Sequence, residues 1–310
     1  MSTVVGKLFE AISRPDKVLP YLRTLARVYW SIFRSRDLTQ LCDTTGGLIF
    51  GQRYLEWRYG DSVIKEVEGS LMKLDTDEVI GQELIIYGVR EPITTSAYKR
   101  ELERLKRTCD GEITILEVGA NIGYYALLAA SVLGERASVY AVEPDPDNYE
   151  RFLENVELNG YEEMFETSQV ALGTENGTGT LRLSSNCNNH ILVDNPDNSE
   201  NTRQVETVTP SSYFDSQEID LQSVNVIRMD IDGFECELIP LLEETLAQCN
   251  PIILHIEIHP KEEEAFERLL RTLEKLDFKI CSAGRNHKNL QVEYKNISRN
   301  VYTELIMVRE

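Results

Sequence analysis

From residue 113 the chain alternates short apolar runs with amphipathic ones, and this rhythm limits its folds more than any other feature. The runs "ITILEVGA" (113–120), "SVYAVEP" (138–144), "FETSQVAL" (165–172), "SVNVIRMD" (223–230) and "PIILHIEI" (251–258) read as buried strands. Amphipathic stretches separate most of them: one from about Tyr124, "PDNYERFLENVELNG", "ECELIPLLEETLA" and "KEEEAFERLLRTLEKL". Strands without polar alternation, each followed by a helix, predict a parallel sheet covered on both faces. "FKICSAG" and "VYTELIMVR" close the chain and are expected to be edge strands. Residues 173–222 break the pattern with a polar, Asn-rich insertion expected to cover one mouth of the sheet. Ahead of the alternation, residues 46–74 show short alternating runs broken by Gly and Asp, which predicts an antiparallel hairpin region. A helix is expected after Pro92. The boundary falls at Cys109-Asp110-Gly111, giving a helical and hairpin extension over 1–109 and a main α/β domain over 110–310.

Charge narrows the function. The chain carries 52 acids against 32 Lys and Arg, a net −20. Phosphate contacts need clustered Lys and Arg, so this balance argues against general nucleic-acid binding. Six cysteines without a C-x-x-C pair argue against a zinc cage or a disulfide framework. No apolar run reaches spanning length and no signal-peptide core is present, so a cytoplasmic location is expected. Residues 1–36 hold seven Lys and Arg and two acids, a local +5 that leaves −25 on the rest. Within them "KVLPYLRTLARVYWSIFRSR" (17–36) has the pattern of a basic amphipathic helix. It predicts either packing on its own domain or peripheral contact with the inner membrane surface.

In an open α/β sheet, ligands sit beyond the carboxyl ends of the strands near the switch point. The first such end reads "LEVGANIGYY" (116–125). Gly119 permits a tight turn there and Gly123 lets the next helix begin close to the strand. A dinucleotide site wants G-x-G-x-x-G, and Gly119-Ala120-Asn121-Ile122-Gly123 lacks its middle and last glycines. Glu117, in an otherwise apolar strand, is costly to bury alone and suits an amino-bearing ligand. Glu143 ends the second strand, where a carboxylate can take both ribose hydroxyls. Ribose plus amino acid without a diphosphate describes S-adenosyl-L-methionine.

"EVGANIGYYALLAA", "VYAVEPDPDNYERFLENVELNG", "VALG", "VIRMDIDGFECELI" and "IILHIEIHP" resemble, in order, the motifs of the FkbM-type methyltransferases. The resemblance covers roughly residues 110–310. It implies the Rossmann-like class I fold, a mostly parallel seven-stranded sheet with helices on both faces. It also implies S-adenosyl-L-methionine as cofactor and O-methylation of a hydroxyl on a sugar, glycan or secondary metabolite. On this basis Gly119, Asn121 and Gly123 line the methionine part, and Glu143 takes the ribose. Glu117 stands where the family usually has Asp. Backbone around Pro144-Asp145 and Val170-Ala171 borders the adenine.

The block "RMDIDGFE" corresponds to the family's Ile-Lys-x-Asp-x-Glu-Gly, with Arg228 for Lys and Asp232 for Glu. Asp230 would end the fourth strand facing the transferred methyl and accept the hydroxyl proton. The alternative is that it caps the helix beginning near Phe234. Arg228 lies on the same strand face and is expected to pair with Asp230 or with an acidic acceptor group. Its guanidinium stays protonated, so it cannot act as an amine base. His255, Glu257 and His259 alternate on one face of the next strand, and His259 is the second candidate base or acceptor contact. The family pattern requires no metal. Two other readings stay open from residues alone: a glycosyltransferase using Asp230 and Asp232 to hold a metal, and a noncatalytic membrane-associated nucleoside-binding protein.

Overall fold

The computed structural model describes residues 29–30, 37–183, 190–193, 201–231, 233–249, 251–259, 263–283, 294, 297 and 303–309. The chain divides into two compact units, Met1–Pro92 and Ile93–Glu310.

In the first unit, helices α1 (Leu38–Phe50) and α2 (Gln52–Tyr59) precede a hairpin of β1 (Ser62–Val67) and β2 (Ser70–Asp75), then helix α3 (Val79–Tyr87). The hairpin expected over 46–74 is therefore confined to its second half, and residues 46–59 are helical except at Gly51, whose φ of +62° turns the chain from α1 into α2. Gly46 and Gly47 serve contact instead: a Cβ on Gly47 would lie 2.4 Å from the Ile86 side chain. Asp43 organises the unit. It is fully buried, and its carboxylate takes the Arg58 guanidinium at 2.8 Å, the Lys65 ammonium at 2.7 Å and the Tyr59 hydroxyl at 2.6 Å. Gln40 extends the network, donating to the Ile85 and Ile86 carbonyls at 3.0 and 2.9 Å. The expected N-terminal helix over 17–36 lies outside the described residues except for Tyr29 and Trp30, which are helical.

The second unit begins with the helix expected after Pro92, α4 (Pro92–Thr108). It is followed by β3 (Ile113–Val118), α5 (Tyr124–Leu133), β4 (Ala137–Val142), α6 (Pro146–Glu157) and β5 (Phe165–Ser168). After an inserted sheet and a short helix α7 (Pro210–Ser216) come β10 (Val224–Met229), α8 (Glu235–Leu241), α9 (Glu243–Gln248), β11 (Ile252–Ile258), α10 (Glu263–Lys275), β12 (Lys279–Ala283) and β13 (Thr303–Arg309). The main sheet has seven strands in the order β12-β13-β11-β10-β3-β4-β5, with β11 through β5 parallel. The fold is the expected Rossmann-like class I methyltransferase architecture. Of the two closing strands only β12 is an edge: β13 lies inside the sheet, antiparallel to both neighbours.

The expected strand 165–172 is divided. β5 ends at Ser168, and Ala171–Leu172 (β6) joins the inserted sheet with β7 (Gly177–Leu183), β8 (His190–Val193) and β9 (Thr202–Val208). Of the Asn-rich stretch 186–201, only residues 190–193 and 201 are described. Arg203 of β9 binds Asp145 at 2.7 Å and Asp147 at 3.0 Å, which fixes the inserted sheet beside the start of α6.

The central strands are buried on both faces but differ in chemistry. Leu116, Val118, Ile227, Met229, Leu254 and Ile256 share an apolar cluster with Leu238, Ile239, Leu269 and Leu273. The opposite face carries Glu117, Arg228, His255 and Glu257, all buried. A chain with Asp43→Ala leaves two cations without their anion, and breaking a buried pair of this kind costs about 3 kcal/mol. Trp30 and Trp57 both lie in the first unit, so fluorescence-detected denaturation should register this loss there.

Candidate active site at the carboxyl ends of the central strands

β3 and β10 stay in close contact just beyond their ends. The Asp230 amide donates to the Val118 carbonyl at 3.0 Å, and a Cβ on Gly119 would lie 2.2 Å from the Asp230 carbonyl oxygen. Gly119 also has φ +81°, so a side chain is excluded by conformation as well as by space. Asn121 adopts φ +52° and Gly123 φ +92°, and this turn delivers the chain into α5.

Glu143, one residue past β4, takes the Asn121 amide at 2.7 Å on one oxygen and the Asp145 amide at 2.9 Å on the other. It thus ties the β3 turn to the β4 turn. Asp145 caps α6, accepting from the Asp147 and Asn148 amides at 3.0 and 3.1 Å. Pro144 lies half-buried between them. Val170 and Ala171 stand just past the end of β5, whose Ser168 carbonyl accepts from the Glu143 amide at 3.2 Å. The sequence-predicted cofactor residues therefore line the ends of β3, β4 and β5.

Arg228 brings the predicted catalytic end to the cofactor end. It shares one rung of the sheet with Glu117 and His255. One guanidinium nitrogen donates to Glu117 at 2.8 Å and to the Gly119 carbonyl at 3.3 Å; the other reaches Asp230 at 2.7 Å. The guanidinium carbon lies 4.4 Å from the Tyr125 ring centre, a cation–π contact in a desolvated site. Burial works against the Arg228 charge, but Glu117 and Asp230 outweigh it and hold its pKa well above the usual value. Burial pushes Glu117 up to about 7 although Arg228 opposes the shift. Burial likewise raises Glu143 to about 7 against its backbone donors.

The turn after Asp230 is held by a residue that the sequence reading passed over. Glu235, fully buried at the start of α8, accepts from the Ile231 and Gly233 amides at 3.0 and 3.3 Å. Phe234, the N-cap of α8, makes no side-chain cap of its own, and the Glu235 carboxylate supplies acceptors for the turn that leads into the helix. His259 sits between two acids, with Glu257 3.3 Å from one ring nitrogen and Glu235 3.8 Å from the other. His255 does not point to the acceptor end: its Nε2 pairs with Glu304 at 2.9 Å, and Glu304 also takes the Thr94 hydroxyl. An acid at the first position of α8 is visible in "DGFE". Glu304 gave no such signal, because only the β11–β13 register sets it opposite Glu257.

Strand order, crossover at β3/β10 and acids ending β4 and β10 together define a class I methyltransferase. Residues 117–280 match the methyltransferase FkbM domain, and the chain belongs to that family. Its cofactor is S-adenosyl-L-methionine. A hexuronic acid methyltransferase, AglP, of Haloferax volcanii is 24% identical over 162 residues, 47% of this chain and 57% of that protein. The chain thus spans less than two thirds of that relative's length. M. jannaschii TYW2 in complex with AdoMet overlaps 80% of this chain and 85% of its own at 15% identity and TM-score 0.39. P. horikoshii TYW2 in complex with MeSAdo overlaps 80% and 71% at 17% identity and TM-score 0.41. These overlaps add nothing to what the strand order establishes.

The residues present fit the cofactor. Glu117 keeps its second oxygen buried with no hydrogen-bond partner among the described residues, which suits an ammonium group.

Two outcomes follow. Gly119→Ala places a methyl against the Asp230 carbonyl and adds left-handed strain of about 1–2 kcal/mol. Its affinity for S-adenosylhomocysteine, read by calorimetry, should fall by more than about tenfold. Glu117 and Glu143 bind protons more tightly folded than unfolded, so unfolding releases protons between about pH 4.5 and 7. Stability of the ligand-free chain should therefore fall as pH rises through this window, and Glu117→Gln should flatten the slope of thermal midpoint against pH.

Proposed function

We propose that residues 110–310 methylate a hydroxyl of a sugar, glycan or secondary metabolite, with Asp230 as the general base. The observation that carries this is the placement of Asp230. It follows the last residue of β10, its carboxylate is 19% exposed, and Arg228 holds one oxygen at 2.7 Å. Bound S-adenosyl-L-methionine supplies an electrophilic methyl on a sulfonium. Asp230 would take the proton of the acceptor hydroxyl as that oxygen becomes the nucleophile, and the methyl donor would keep the departing bonding pair on its own sulfur. Arg228 orients that carboxylate and cannot itself take the proton. Much of the rate then comes from positioning.

At the cofactor end, the second Glu117 oxygen would receive the ammonium, while Gly119, Asn121 and Gly123 would hold the methionine part. Glu143 would take the ribose, and Pro144, Asp145, Val170 and Ala171 would border the adenine. His259, 23% exposed at the end of β11, contacts the acceptor. The likeness to a hexuronic acid methyltransferase supports a sugar acceptor.

Asp230→Asn should leave S-adenosylhomocysteine affinity within about threefold and lower turnover by about 10²–10⁴. Unchanged turnover would remove Asp230 as base. Glu143→Ala should weaken cofactor binding, and His259→Ala should raise the KM for acceptor more than it lowers kcat. Acceptor class is tested by methyl transfer from radiolabelled S-adenosylmethionine to hexuronic acids, neutral sugars and phenolic hydroxyls. Transfer only to a nitrogen or carbon acceptor would refute the O-methylation reading.

A further inference from the structure

The first unit displays a surface that methyl transfer does not use. Outward from α1 stand Leu38, Leu41, Ile49 and Phe50, between 38% and 73% exposed. Positions 38, 41, 45 and 49 recur at helical spacing and form one stripe. The single charged residue of α1, Asp43, is buried by Arg58, Lys65 and Tyr59. A 13-residue helix thus shows solvent no charge, in a chain of which 27% is charged. Both tryptophans of the chain stand out from this unit, Trp30 at 62% and Trp57 at 79% exposed. The Tyr29 hydroxyl lies 3.3 Å from that of Thr45 in the middle of the stripe.

We propose that this face of α1, in a unit that also exposes Trp30 and Trp57, docks on an anionic lipid bilayer. A charge-free apolar helix face with aromatic neighbours has the chemistry of an interfacial helix. Charge selects the bilayer and the orientation. Residues 1–36, which carry +5, lead directly into the stripe, whereas the remaining residues carry −25 and are repelled by an anionic surface. No described helix is long and apolar enough to cross a membrane.

Flotation of the full chain with phosphatidylglycerol/phosphatidylcholine vesicles tests the proposal. The chain should float with these vesicles, less so at high salt and with pure phosphatidylcholine. Brominated acyl chains should quench its tryptophan emission, a readout that needs no substitution. The double variant Ile49→Glu/Phe50→Glu should lose vesicle binding by more than about tenfold while retaining S-adenosylhomocysteine affinity. Leu241→Glu, an exposed apolar site in the other unit, should bind vesicles as the parent does. Absence of flotation and quenching overturns the proposal, as does undiminished flotation of the double variant. Sedimentation showing a dimer that the double variant dissolves, without vesicle binding, assigns the face to a second copy and overturns it too.

Discussion

The catalytic unit is organised around one buried cation. Arg228 joins Glu117 on β3 to Asp230 beyond β10, under the face of Tyr125 and against the Gly119 carbonyl. A guanidinium without water is expensive to bury, and two carboxylates plus a ring offset that cost only in this geometry. The same contacts fix the distance between the strand that begins the cofactor site and the strand that ends in the proposed base. Arginine suits this bridge because its planar fork reaches two partners at once, which a single ammonium does less rigidly.

Around that centre, carboxylates do structural work usually given to backbone or hydroxyl groups. Glu143 links two turns by accepting an amide from each, and Glu235 folds the turn after Asp230 in the same way. Both orient amides at strand ends, where the open side of the sheet would otherwise leave them unpaired. Asp43 plays a comparable part in the first unit, where its burial also removes charge from the outer face of α1. Acidic residues thus define interior geometry as well as surface charge in this chain.

Much of the architecture was legible because it rests on local pattern. Apolar runs of strand length, each followed by an amphipathic helix, can bury both faces of a sheet in few ways. The turn residues Gly119 and Gly123 were legible because their backbone conformation admits few residue types, and the acid Glu143 because it stands at the end of a strand; that it takes the Asn121 and Asp145 amides was not. The two helices over residues 46–59 were not either: Gly47 admits a close Ile86 contact within α1, and of the glycines that suggested turns there only Gly51 makes one. The break within 165–172 was also hidden, since β6 leaves the main sheet to pair with a strand more than thirty residues later.

The sequence by itself determined the alternating sheet, the glycine turn after β3, the family and the presence of a carboxylate at the end of the fourth strand. These depend on periodicity and on residue types close together in the chain. Only tertiary structure decided which acids share Arg228, that Glu235 accepts from the amides of the turn after Asp230, and that His255 turns to Glu304 while His259 lies between Glu257 and Glu235. Those outcomes depend on strand register and burial. Register sets residues more than a hundred positions apart on one rung, and burial decides which charges must find partners.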